Sequence, residues 1–155
     1  MLVVISGVAA AGAGLSSPMS AAVDAVLTDF HRAASEADGE RYFSLLAEDA
    51  VFMGTDAGER WSVAEFQAFA EPYFSQGRGW TYETTERNIF LSPDGAVAWF
   101  DEMLWNESFG ACRGTGVLKL TADGWRIVQY SLSIPIPNEL AGDVTARIKE
   151  LATAD

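Results

Sequence analysis

The sequence is short of several residue types on which whole classes of chemistry depend. It has one cysteine, Cys112, and one histidine, His31. An internal disulfide is therefore impossible, and zinc fingers, HExxH zinc sites and multi-histidine iron sites are excluded. Lys and Arg number 10 against 22 Asp and Glu, a formal net charge of −12. Phosphate backbones and anionic lipid surfaces are held by clustered basic side chains, so neither nucleic acid nor membrane is expected as a partner. No metal and no cofactor are expected, which leaves any chemistry to carboxylates, hydroxyls, aromatics, arginine or His31. The single thiol suits cytoplasm and periplasm alike. What the chain does have is core material: 155 residues, 49% of them apolar. That is one domain, able to bury roughly two-thirds of its unfolded surface without a staple.

Residues 1–23 carry no charged side chain. This apolar run passes quickly into Ala, Gly and Ser and is too short to span a bilayer. Ala9, Ala11 and Ala13 resemble the small-residue cleavage region of a secretory signal, while the usual basic start is missing. Residues 1–19 are expected to be a signal-peptide-like or mis-started leader, with Met19 as the alternative start, and 20–155 the folded domain. A signal peptide would place the protein in the periplasm or outside the cell; otherwise it is cytoplasmic.

From Ser20, Val23, Val26, Leu27, Phe30, Ala34 and Ala37 recur at helical steps, with Asp24, Asp29 and Glu36 on the other face. Ala37-Asp38-Gly39 stops this helix, a second is expected over 40–47, and 50–53 is a brief strand followed by a polar loop. Ser62 three residues before Glu65 forms a capping box, and Trp61 ahead of the cap can staple onto Phe66. That helix runs through Tyr73 and Phe74 to Gly77. Strands are expected at about 80–92, 96–106, 112–121 and 125–134, divided by turn chemistry such as Pro93-Asp94-Gly95 and Asp123-Gly124. Asn138 is a candidate cap for a closing helix striped by Leu140, Val144, Ile148 and Leu151. The order is helices, then a curved antiparallel meander, then one helix: an α+β domain.

Residues 22–138 resemble the SnoaL-like branch of the nuclear-transport-factor-2-like superfamily. The likeness rests on the opening helix VLTDFHRAASEADGERYFSLLAEDAVFMGTD, the capped helix RWSVAEFQAFAEPYF, the GRGWTY strand start, the LSPDGAVAWFDE hairpin and the ending GWRIVQYSLSIPIPN. It implies a cone-like barrel in which a bent antiparallel sheet wraps the helices around a pocket, commonly as a homodimer packed through the sheet. The same fold houses polyketide cyclases, ketosteroid isomerases, dehydratases and non-catalytic binding or assembly domains, so fold alone does not choose an activity.

Asp101 and Glu102 lie in Val97–Trp105, a strand apolar on both faces. Alternation sends one acid to each face, so at least one carboxylate stands among aromatics, where desolvation would suit it to acid/base work. Asp101 is the expected pocket acid because it shares a face with Trp99; the bland alternative pairs the acid with Arg113 or Arg126 on a neighbouring strand. His31 sits on the flank of the first helix's apolar stripe, where it can reach a pocket mouth or simply make a surface hydrogen bond; it is the candidate proton carrier, with His31 or Arg113 polarising a substrate oxygen. Phe52, Trp61 and Trp99 are expected to wall a mostly apolar pocket. Cys112 has only Arg113 to activate it and reads as inert. Gly110, Gly114 and Gly116 match no phosphate loop and are expected to let the sheet bend.

Gln129, Ser131 and Ser133 alternate with apolar residues along the last strand. In the resembling family this strand often carries a His or Asp that performs acid/base work. Gln129 cannot transfer a proton, although it could orient a carbonyl, so a pocket that binds a small molecule is favoured over a named reaction. The alternatives are a cofactor-independent isomerase, cyclase or dehydratase-type enzyme on a carbonyl substrate, and a non-catalytic homodimerisation scaffold. A buried carboxylate without an Arg partner, facing an open cavity, would mark the enzyme; a cavity with that acid paired marks the binder; no cavity marks the scaffold.

Overall fold

The structure, a computed structural model, describes residues 17–153. The leader candidates Ala9, Ala11 and Ala13 lie outside the described residues. Helix α1 spans Pro18–Ser35 and begins ahead of the expected boundary at residue 20. Ser17 accepts a hydrogen bond from the Ser20 N–H at 3.1 Å, and Pro18 fills the first helical position, where no N–H is needed. Val23, Leu27, Phe30, Ala33 and Ala34 form its buried face. Ala37, in the left-handed region at φ 56°, turns the chain into α2 (Gly39–Ser44), which Asp38 caps.

The second helix is shorter than the pattern suggested. Leu46 already belongs to strand β1 (Leu46–Met53), because it pairs with Ile127 across the sheet. An additional short strand, β2 (Arg60–Ser62), runs from the end of the polar loop into the cap of the next helix and pairs antiparallel with β1. Ser62 then caps α3 (Val63–Phe74) with both bonds of the capping box, and Trp61 stacks on Phe66 with ring centroids 5.5 Å apart.

Strands β3 (Glu83–Leu91), β4 (Val97–Asn106), β5 (Gly110–Thr121) and β6 (Gly124–Ser133) form the antiparallel meander the turns imply. The sheet is nevertheless mixed, since β1 joins β6 in parallel and the strand order is β2-β1-β6-β5-β4-β3. It curls over the helices without closing into a barrel.

Alternation assigns the two faces. Ala98, Phe100, Glu102 and Leu104 of β4, with Cys112 and Leu118 of β5, are buried against the helices. Outward, Phe90, Trp99, Val117 and Gln129 lie side by side across four strands. A register shift opposite Val117 and Leu118 inserts one extra residue into β6, so that Ile127 and Tyr130 both point inward while Gln129 points out. The inner layer is strongly aromatic: Phe30 stacks on Tyr42 at 4.2 Å, and Tyr42 meets Phe66, Phe74 and Trp80 edge-on.

The closing helix differs from expectation in two ways. Asn138 opens a short 3-10 turn (Asn138–Leu140) with no side-chain cap, and α4 (Ala141–Ala152) buries none of its residues. No helix among the described residues is long and apolar enough to cross a membrane.

Candidate functional site

The chemistry of the interior centres on Glu102, whose side chain is fully buried. It projects inward from β4 and receives donors from three directions. His31 Nε2 lies 2.7 Å from Oε1, and the Tyr130 hydroxyl donates to the same oxygen at 2.8 Å. Arg87, directly opposite Glu102 in the β3–β4 register, donates from Nε to Oε2 at 2.8 Å, and its Nη2 stands 2.8 Å from the same oxygen as an ion pair. Arg87 is itself saturated: Nη1 reaches Asp24 Oδ1 at 2.8 Å and Thr28 Oγ1 at 3.0 Å, and Nη2 reaches Thr84 Oγ1 at 3.1 Å.

Burial alone would raise the Glu102 pKa. The hydrogen bond and charge of His31, with Arg87 and Tyr130, outweigh it and hold the carboxyl below its ordinary value. Glu102 is therefore an anion near neutrality, so His31 Nε2 carries a proton and donates it to the bond. Burial and the adjoining carboxylate push the Tyr130 hydroxyl far above the usual tyrosine range, which keeps it a phenol donor. Gly114 makes the arrangement possible. A Cβ there would stand 2.8 Å from Glu102 Oε1 and closer still to the Tyr130 hydroxyl.

Beside this network lies a cavity of about 220 Å³ between β1, β2, α3 and the start of the meander. Phe52, Trp61, Phe66, Phe69, Trp80, Tyr82, Phe109 and Leu132 wall it, with Gly54, Thr55 and Glu59 at its polar side. Phe52, Phe66 and Trp61 are near-parallel, with Phe52 and Phe66 in face contact at 3.9 Å and Trp61 stacked in turn on Phe69 at 4.8 Å. A smaller space of about 20 Å³ reaches inward to His31 and Tyr130 and shares Phe52, Trp80, Tyr82 and Leu132 with the larger one. Burial, with smaller contributions from Cys112 and Glu59, pushes the Tyr82 hydroxyl up to about 12.

The structure brings His31 and Phe52 together at the small space and Phe52 and Trp61 together at the large one. Four other expected site residues stand elsewhere. Asp101, Trp99, Arg113 and Gln129 all lie on the outer face of the sheet, because β4, β5 and β6 turn the alternate set inward. Asp101 accepts a bond from Asn88 at 3.0 Å, and Trp99 is 45% exposed. The interior acid is its neighbour Glu102, and its arginine is Arg87 rather than Arg113 or Arg126.

Arg87, Tyr130, Asp24, Thr28 and Thr84 went unread as members of the network, although signals existed for some of them. Asp24, Thr28 and His31 stand at i, i+4 and i+7 and so share one flank of α1. Arg87 alternates with Ile89 and Leu91, which marks an inward position on β3. Cys112 is buried and its thiol is pushed up by burial, in keeping with an inert residue. Among the described residues no three His, Cys, Asp or Glu side chains converge as a metal-binding group.

The SnoaL-like domain family model matches residues 23–137, which run from within α1 through β6 and include both the network and the cavity. The chain belongs to the SnoaL-like domain family. No curated protein matches this SnoaL-like chain in sequence. Among solved structures, an NTF2-like protein of unknown function from Pseudomonas putida superposes with a TM-score of 0.65 at 15% identity, covering 81% of this chain and 93% of that one. A protein of unknown function with a cystatin-like fold from Nostoc punctiforme gives 0.62 at 12% identity, over 78% and 94%. A ketosteroid isomerase-like protein from Erwinia carotovora atroseptica gives 0.58 at 19% identity, over 79% and 100%. At these identities the likeness establishes the fold and not an activity.

Proposed function

We propose that this SnoaL-like domain binds a small, mostly apolar molecule in the aromatic cavity. The observation that carries this reading is a pair of facts taken together: the cavity is open, while the one buried carboxylate among the described residues is already satisfied by His31, Tyr130 and Arg87. A carboxylate so held is a poor proton acceptor, because removing it from its partners costs several kcal/mol. At about 220 Å³ the space is below the ~300–1,000 Å³ of drug-sized sites and suits a ligand of one ring. Ligand-observed NMR with neutral single-ring compounds such as benzyl alcohol tests it. Binding is expected in the native chain and loss in Thr55→Trp, which fills the cavity mouth from an exposed loop position. Equal binding by both proteins, or none by either at millimolar concentration, sinks the proposal.

The homodimer belongs to the same reading. Phe90, Trp99 and Trp105 are 46%, 45% and 53% exposed on the outer sheet face, an apolar patch of the kind that self-association covers. Light scattering is expected to give a dimer for the native chain and a monomer for Trp99→Lys combined with Trp105→Lys. A native monomer excludes it.

One observation favours a catalytic second reading. His31 is anchored through Nε2 yet lines the small space that adjoins the cavity, where its ring could exchange a proton with a ligand. Deuterium exchange at the α-carbon of a small cyclic ketone, present in the native chain and absent in His31→Gln, would support it. No exchange above the solution rate rules it out.

A further inference from the structure

The cavity has a charge as well as a shape. Glu59 is its single charged lining residue, and the large residues that share the lining are aromatic except Leu132. Glu59 Oε2 accepts a bond from the Asp56 N–H at 3.1 Å, folding the side chain over Gly54, where a Cβ would collide with it. Oε1 accepts no hydrogen bond from any described residue. The ion pairs among the described residues engage Asp24, Asp29 and Glu102, leaving Glu59 without a cationic side chain against it.

Resting on the binding function above, we infer that the cavity selects an organic cation: an ammonium group carried on one apolar ring, its charge set between Glu59 and the aromatic walls. Three independent effects favour that charge. Trp80, Tyr82 and Phe109 line the cavity with rings whose faces carry the negative lobe of the quadrupole and attract a desolvated cation. Glu59 Oε1 offers a charge-assisted acceptor for an ammonium N–H. The protein's net charge of −12 concentrates cations around it and repels anions. A neutral ligand of the same shape gains only the apolar contacts, and a carboxylate ligand meets repulsion from all three. Burial raises the Tyr82 hydroxyl to about 12, and the charge of Glu59, which lines the same cavity, adds a smaller part in the same direction.

The test uses benzylammonium, benzyl alcohol and benzoate, near-isosteres of charge +1, 0 and −1 at pH 7, titrated against the full chain by calorimetry. Benzylammonium is expected to bind at least about tenfold more tightly than benzyl alcohol, with benzoate weakest; that preference should narrow as salt is raised. Glu59→Gln keeps an oxygen for the Asp56 N–H and so preserves the loop. It should bring benzylammonium down to the level of benzyl alcohol while leaving benzyl alcohol unchanged. Benzyl alcohol binding as tightly as benzylammonium to the native chain overturns the cation preference and leaves the small-molecule pocket standing. Equal losses for both ligands in Glu59→Gln overturn it too, since the residue would then act only on shape. Binding of none of the three overturns this inference and the pocket together.

Discussion

Replacing Glu102 by Gln removes one negative charge from a fully buried position while keeping the side chain's volume. The consequence follows from the donors around it. Oε1 faces His31 Nε2 and the Tyr130 hydroxyl, and Oε2 faces Arg87 Nε and Nη2. Either orientation of the new amide therefore turns an N–H group toward existing donors, and Arg87, itself only 6% exposed, loses its buried counter-ion. Breaking a buried pair from one side costs about 3–5 kcal/mol; the remaining bonds of Arg87 to Asp24 and Thr28 place this case near 3, or ~6–12 °C in Tm for a domain of this size. Urea unfolding at pH 7 measures it. The pH dependence has a fixed sign. Because the Glu102 pKa is lowered by folding, its contribution is fully present above the ordinary value of 4.5 and is lost as pH falls through the lowered one. The gap between native and variant should stay constant from pH 7 to 5 and close only in more acid solution. Glu102→Leu with Arg87→Met should recover part of the loss and not all, since His31 and Tyr130 would still lack their acceptor. A loss below about 1 kcal/mol at pH 7, the level of one ordinary hydrogen bond, would refute the buried-hub account.

Gly114→Ala should destabilise by about 1–3 kcal/mol, because its Cβ would overlap the Tyr130 hydroxyl and Glu102 in a place with no free volume; a urea midpoint equal to the native one would contradict this. Ser62→Ala should cost about 1 kcal/mol through the lost α3 cap, read as a lower Tm with an unchanged outer sheet face. Gly142→Ala, with nothing within 4 Å of the added methyl and a helical backbone to favour it, should leave the Tm unchanged or raise it slightly, whereas a fall would mean that α4 packs on something.

Much of the local structure could be read directly from residue patterns. The α3 capping box needs only Ser62, Glu65 and the residues between them, and the Trp61 staple only the position on either side, so both appear as the spacing implies. The meander follows from turn residues that act over two or three positions. Element ends were less legible where a distant strand decided them: Leu46 became β1 because Ile127 was there to pair with, and β2 exists because β1 offered an edge. The site shows the same division. Alternation placed Asp101 and Glu102 on opposite faces of one strand, and nothing within that strand says which face meets the helices. Trp99 was a misleading guide, since an outer sheet face that is itself apolar carries tryptophan as readily as a core does.

By itself, then, the sequence determined what short-range physics controls: the α+β order, the caps and turns, the acidic composition, the exclusion of an internal disulfide and of multi-histidine metal sites, and the presence of one carboxylate in an apolar setting. Tertiary structure decided which carboxylate that was, and with what partners. Asp24, Thr28 and His31 arrive from α1, Arg87 from β3 and Tyr130 from β6, and only the curl of the sheet over α1 brings them within 3 Å of Glu102 or of its arginine. The strength of such contacts falls so steeply with distance that no spacing along the chain can stand in for them.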